Sequence, residues 1–194
     1  MAKELFLEIG TEEIPAGFLP KAMADMEALI RKEFEAARFE FGAVRTFATP
    51  RRLALAVGNV AEQQPTLQIK AMGPARQHAF DASGNPTKAA EGFARGQGVA
   101  VTDLKIVATD KGEYLCAEKE ESGRPTKDLL REILPRLING ISFKKSMRWK
   151  DLDVRFARPV HWIVALYGGD VVPVSFGDLH SGSVSRGHRF MAPQ

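Results

Sequence analysis

An α+β fold, with antiparallel hairpins packed against two main amphipathic helices, is what the sequence predicts. Apolar residues recur at helical spacing in two long windows, residues 18–39 and 126–139. Around them lie short apolar runs of strand length, several joined by turns that carry glycine. No internal repeat is visible. The chain of 194 residues, 44% hydrophobic and 26% charged, has the balance of a soluble globular protein.

Leu5-Phe6-Leu7-Glu8-Ile9 reads as a strand, punctuated by Gly10 and Pro15. From Phe18 to Phe39, Ala22, Met23, Met26, Leu29, Ile30, Phe34 and Ala37 share one side of a helix. Lys21, Asp25, Arg31, Lys32, Glu35 and Arg38 take the other, and Gly42 is the expected stop. Val44 to Ala48 and Leu53 to Val60 are strands joined at Thr49-Pro50-Arg51-Arg52. Leu67 to Met72 is a weaker strand closed by Gly73-Pro74. Thr87 is placed to cap a short helix through Phe93 and Ala94 that ends at Gly96-Gln97-Gly98. Leu104 to Thr109 and Glu113 to Glu118 form a hairpin about Asp110-Lys111-Gly112. The second helix, Thr126 to Asn139, gathers Leu129, Leu130, Ile133, Leu134, Leu137 and Ile138, with a kink expected at Pro135 and a stop at Gly140. Val160 to Tyr167 and Val171 to Phe176 read as a hairpin about Gly168-Gly169. Residues 181–190 read as a loop with phosphate-compatible donors or as a frayed end. Residues 1–194 are taken as one region, in which the punctuation at 121–125 admits a weak boundary.

No apolar run is long enough to cross a bilayer, and the N-terminus has no signal-sequence pattern. A single cysteine, Cys116, excludes an internal disulfide and fits a reducing, cytoplasmic setting. His78, His161, His180 and His188 have no metal-ligand spacing. The glycines near residue 96 lack the strand-turn-helix order and the following Lys of a P-loop. No serine sits in a nucleophile-elbow setting. Glu12 and Glu13 are adjacent and diverge from one another, so their expected use is as charges near the positive end of the following helix.

The net charge of +3 is local. Lys144, Lys145, Arg148, Lys150, Arg155 and Arg158 outweigh Asp151 and Asp153 in one window, which also holds the only two tryptophans, Trp149 and Trp162. Cations interleaved with aromatic rings neutralise phosphates and stack on unpaired bases. The same pattern also fits indoles that anchor a core beside a solvated face of lysines. Arg51 and Arg52 at a bend have a shape suited to phosphate, or to surface ion pairs. Arg158 is either a phosphate contact or a buried arginine paired with Glu8 or Glu12.

Five ordered stretches carry a family resemblance: Leu5-Phe6-Leu7-Glu8-Ile9-Gly10-Thr11-Glu12-Glu13-Ile14-Pro15, Thr49-Pro50-Arg51-Arg52-Leu53-Ala54, Lys145-Ser146-Met147-Arg148-Trp149, Phe156-Ala157-Arg158-Pro159-Val160-His161-Trp162, and Gly187-His188-Arg189-Phe190. Together they resemble the beta subunit of bacterial glycyl-tRNA synthetase. Ser183 and Ser185 stand where that family usually has Asn and Thr. The resemblance implies an N-terminal piece of a longer chain, in an assembly of two alpha and two beta subunits. It also implies that the alpha subunit carries the class II site, using ATP and Mg to make glycyl-adenylate, while the beta subunit binds tRNA(Gly). Arg51, Arg52, Lys144, Lys145, Arg148, Trp149, Arg158, His188 and Arg189 are then the candidate tRNA contacts. This fragment has no expected catalytic residue, metal or bound cofactor, and is expected to be inactive alone. An assembly module that docks on the alpha subunit without touching RNA is the alternative. A hydrolase built on Glu12, Glu13 and His188 is the weakest reading.

Overall fold

The computed structural model describes residues 2–81, 83–110, 112–148 and 154–187. In chain order the elements are β1 (Lys3–Thr11), α1 (Leu19–Ala36), β2 (Val44–Thr49), β3 (Arg52–Val60), β4 (Leu67–Ala75), α2 (Arg76–Ala79), α3 (Lys88–Gln97), β5 (Lys105–Thr109), β6 (Gly112–Glu121), α4 (Thr126–Gly140), β7 (Met147–Arg148), β8 (Arg155–Phe156), β9 (Val160–Tyr167), β10 (Asp170–Val171), β11 (Ser175–Phe176) and β12 (Leu179–Gly182). The α+β class is as the sequence predicts. The chain divides into two compact units, Met1–Gln64 with Arg124–Gln194, and Pro65–Gly123.

The first unit is a sheet of order β11-β12-β9-β1-β3-β2, with β10 also on β9. Its centre is β1, antiparallel to β3 on one side and β9 on the other. Side chains in a strand alternate between faces, so Leu5, Leu7 and Ile9 enter one core together and all three are fully buried. Helices α1 and α4 cover that face. Ala22, Met26, Ile30 and Phe34, spaced four apart, and Leu130, Ile133, Leu134, Leu137 and Ile138 join the same cluster. Each large side chain buried this way contributes roughly 1.5–3 kcal/mol.

Helix α1 ends before Gly42. Arg38 takes the left-handed conformation at φ 57°, and Phe39 N–H captures the Phe34 carbonyl at 2.9 Å. The rings of Phe34 and Phe39 meet edge to face at 5.2 Å, which fixes the exit. Gly42 instead donates across to the Gly58 carbonyl at 2.7 Å. Pro135 lies inside α4, where the sequence places it, and the helix continues through it to Gly140.

The predicted hairpin at Gly168-Gly169 is shorter than expected. Asp170 and Val171 pair back onto β9, Val172 N–H adds a bond to the Ala165 carbonyl at 2.9 Å, and β11 then turns away to pair with β12. Strand β12, which takes in the first two residues of the stretch read as a loop, runs parallel to β9 through Ser181↔Ile163 and Gly182↔Val164. Ser181 accounts for this geometry: its hydroxyl donates to the Val172 carbonyl at 2.7 Å and accepts from Val174 N–H at 2.8 Å.

The second unit is a three-stranded sheet of order β4-β6-β5 with α2 and α3. Strands β5 and β6 pair antiparallel as read, closing at Thr109↔Gly112 with Gly112 at φ 117°; Lys111 lies outside the described residues. Strand β4 does not stop at Gly73-Pro74 but runs on to Ala75 across a register shift after Met72. Proline is tolerated in an edge strand at such a bulge. Gly73 itself is required by the Phe93 ring, since a Cβ there would stand 2.6 Å from it. Thr87 precedes α3, yet its hydroxyl donates to the His78 carbonyl at 2.7 Å instead of capping the helix.

Candidate nucleic-acid interface and the carboxylate cluster beside it

The face of the first sheet away from the helices carries a polar cluster. Glu8, between Leu7 and Ile9, points there, flanked across the strands by Ala54 and Val164. Only 3% of it is exposed. A charge so placed needs partners, and three converge on it. Trp162 Nε1–H donates to Oε1 at 2.7 Å, Ser185 Oγ donates to the same oxygen at 2.6 Å, and Arg52 Nε lies 3.5 Å from Oε2. Of the two carboxylates offered by the sequence as partners of Arg158, Glu8 is met instead by Arg52.

Gly10 explains how Trp162 reaches this position. The two residues are cross-strand partners, and a Cβ on residue 10 would lie 2.0–2.2 Å from three carbons of the indole. The ring therefore lies on the bare backbone of Gly10. The guanidinium groups of Arg52 and Arg186 stand 5.8 and 5.3 Å from its centroid, within cation–π range. Arg52 also donates to the Arg186 carbonyl through Nη2, so the segment Ser183–Gly187 is held at both Ser185 and Arg186.

Just past the end of β1, Glu12 accepts or shares a proton with His161 Nε2 at 2.8 Å and lies 3.8 Å from Arg51 Nη2. This corrects the expectation that Glu12 serves the following helix, whose first turn carries no acidic residue. Both Glu12 and His161 are over a third exposed. Among the described residues no nucleophile bonds the imidazole, so the pair orients a ring and does not form a triad. Arg51 Nε donates to the Thr11 carbonyl at 3.4 Å. Arg158 Nε donates to the Glu13 carbonyl at 3.1 Å, and its Nη1 to Ala157 at 3.3 Å. Both arginines thus stitch the loop after β1 to its neighbours.

The remaining candidates lie elsewhere in the same unit. Lys144, Lys145 and Arg148 are exposed, and the two lysines have no ion-pair partner among the described residues. Arg148 pairs across the short β7–β8 ladder with Arg155, so two guanidinium side chains start from facing positions. Trp149, His188 and Arg189 lie outside the described residues.

The fold therefore splits the nine candidates. Arg51, Arg52 and Arg158 gather at the end of β1 with Glu8 and Glu12, while Lys144, Lys145 and Arg148 form a separate exposed group. Sequence reasoning missed Glu8, Gly10, Ser185 and Arg186 as members of one cluster. A charged residue in the middle of an apolar strand was the available signal for Glu8. Among the described residues no three His, Cys, Asp or Glu side chains converge to hold a metal ion, and no helix is long and apolar enough to cross a membrane. In the second unit a cleft of about 700 Å³ is lined by Arg76, Phe80, Asp81 and Tyr114, with Arg76 bridged to Glu113 at 2.7 Å.

A family model described as glycyl-tRNA synthetase beta subunit matches residues 5–194. The chain is 70% identical over 192 residues to the glycine-tRNA ligase beta subunit of Citrifermentans bemidjiense, covering 99% of this chain and 28% of that relative. It is 69% identical over 194 residues to that of Geobacter sulfurreducens, and 67% over 193 to that of Syntrophotalea carbinolica, with 28% of each relative covered. The chain spans a little over a quarter of the length of these relatives. With the match running from Leu5 to the last residue, and so through every element just described, the chain belongs to the glycyl-tRNA synthetase beta subunit family.

Proposed function

We propose that this region helps the beta subunit of a glycine-tRNA ligase hold tRNA(Gly). Glycine activation with ATP and Mg, and transfer to tRNA, are left to the class II site of the alpha subunit in an α2β2 enzyme. The supporting observation is the exposed group Lys144, Lys145 and Arg148, with Arg155 facing Arg148 across the ladder. Unlike Arg52, the lysines have no carboxylate to neutralise them among the described residues. Flexible, hydrated ammonium groups in that state exchange counterions for phosphates, which gives affinity without reading sequence. Specific reading of tRNA(Gly) then belongs to other parts of the enzyme, and this fragment alone is inactive.

The test is the salt dependence of tRNA binding by the intact enzyme carrying Lys144→Ala with Lys145→Ala. Each removed cation that neutralises a phosphate should flatten log K against log salt by about 0.7–0.9, and so the pair by about 1.4–1.8. A slope equal to that of the parent enzyme rejects the reading.

A second reading, docking on the alpha subunit without RNA contact, is favoured by Phe47. It is 54% exposed on the edge strand β2, and a large apolar side chain at a strand edge suits a protein partner. Loss of alpha-subunit co-purification on Phe47→Ser, with tRNA binding by the beta subunit intact, would favour it.

A further inference from the structure

We infer that Glu8 is a positioning residue for tRNA engagement: its carboxylate clasps the segment Ser183–Gly187 to the outer face of the sheet. This rests on the tRNA reading above. The segment has little else to hold it. Residues 183–187 are exposed, Val184 to 76%, so no apolar burial sets their place. What they do have is a set of polar contacts converging on one buried group. Ser185 Oγ donates to Glu8 Oε1 at 2.6 Å, the Arg186 carbonyl accepts from Arg52 Nη2, and the Arg186 guanidinium lies 5.3 Å from the Trp162 ring. Arg52 and Trp162 are themselves bound to Glu8, at 3.5 and 2.7 Å.

Each of these ties between segment and sheet therefore passes through Glu8 or through a side chain that Glu8 orients. Hydrogen bonds to an ionised, desolvated acceptor are stronger than neutral ones, which lets three contacts do what a hydrophobic anchor does elsewhere. The clasp joins the first strand to a segment 177 residues later in the chain. It sets where the Arg186 backbone stands on the sheet and holds the Arg186 guanidinium against Trp162, the cation of the segment that an RNA phosphate would meet. Glu8 touches no RNA in this account. It acts through the segment.

The test uses the full-length beta subunit in the intact ligase. Ser185→Ala removes one exposed hydroxyl and leaves the core untouched, so it folds even if Glu8→Gln does not. It is expected to speed tryptic cleavage after Arg186 by about tenfold, since proteolysis tracks the released population and one hydrogen bond to a charged group is worth about that factor. KM for tRNA should rise several-fold, with kcat and glycine-dependent ATP–pyrophosphate exchange unchanged. Ser185→Thr, which keeps the hydroxyl, should restore both values. Unchanged cleavage after Arg186 in Ser185→Ala overturns the clasp. Faster cleavage with an unchanged tRNA KM overturns its link to tRNA. A failure of the tRNA reading itself shows separately, as an unaltered salt slope in the Lys144 and Lys145 double variant.

Discussion

Arg52 and Lys144 belong to stretches that look alike in sequence, each a pair of adjacent cations, yet the fold treats them differently. Arg52 Nε stands 3.5 Å from a buried carboxylate and its Nη2 is spent on the Arg186 carbonyl. Lys144 and Lys145 stand exposed, with no carboxylate in ion-pair reach among the described residues. Strand register makes the difference. Glu8 has Ala54 and Val164 opposite it, neither able to neutralise a charge, so the residues opposite Gly10, Arg52 and Trp162, reach back to it. Charge density along a sequence therefore counts cations without saying which have already found their anions.

The comparison breaks most readily at Glu8. Glu8→Ala leaves the Trp162 N–H, the Ser185 hydroxyl and the Arg52 guanidinium without their shared acceptor, and each donor left unsatisfied costs about 1–3 kcal/mol where it is buried and less at the more exposed Ser185 and Arg52. Urea unfolding of the chain should show that loss as a lower midpoint. A variant as stable as the parent would mean that the cluster is solvated and interchangeable with the lysine group. Gly10→Ala comes next. The new methyl would overlap the Trp162 ring, and overpacking of this kind costs about 1–3 kcal/mol. Red-shifted tryptophan emission should accompany it, as the Trp162 indole is pushed off Gly10.

Acid tests a third interaction, which ties α1 to Ser142, two residues before Lys144. Burial pushes the Asp25 carboxyl up, but hydrogen bonds from Lys21 and Ser142 outweigh it and hold the group below its ordinary 3.8. A carboxylate depressed in the folded state adds stability that is present above its unfolded pKa and is lost as pH falls through the folded value. Asp25→Asn should therefore lower the midpoint at neutral pH and leave it nearly unchanged at pH values below the folded pKa. An equal loss at both pH values would contradict the assignment. The smallest effect on stability belongs to Lys144→Ala with Lys145→Ala, within about 0.5 kcal/mol of the parent, as for surface substitutions generally.

Both main helices and most strands were legible because their apolar residues repeat at 3.6 or 2 over enough length. Leu5, Leu7 and Ile9 declare a strand, and Leu130, Ile133, Leu134, Leu137 and Ile138 a helix. Strand β12 was not legible: Leu179-His180-Ser181-Gly182 has no alternation, and its pairing depends on the Ser181 hydroxyl meeting Val172 and Val174. The stop of α1 was misplaced because a non-glycine, Arg38, adopts the left-handed conformation that glycine usually supplies. At the candidate site, residue types were visible and their partners were not. Trp162 and Ser185 lie 154 and 177 positions from Glu8, so only the fold reveals that one carboxylate receives both. Glu8, Arg52 and Trp162 lie in three separate motifs of the resemblance, and only the sheet brings them together, because β1, β3 and β9 are adjacent strands.

One measurement bears most directly on the claim that the exposed lysines, and not the clasped arginine, meet the RNA backbone. It is the salt dependence of tRNA binding by the intact enzyme, parent against Lys144→Ala with Lys145→Ala. The account predicts a slope shallower by about 1.4–1.8 when two phosphates are no longer neutralised, with stability unchanged. Parallel lines for parent and variant would contradict it.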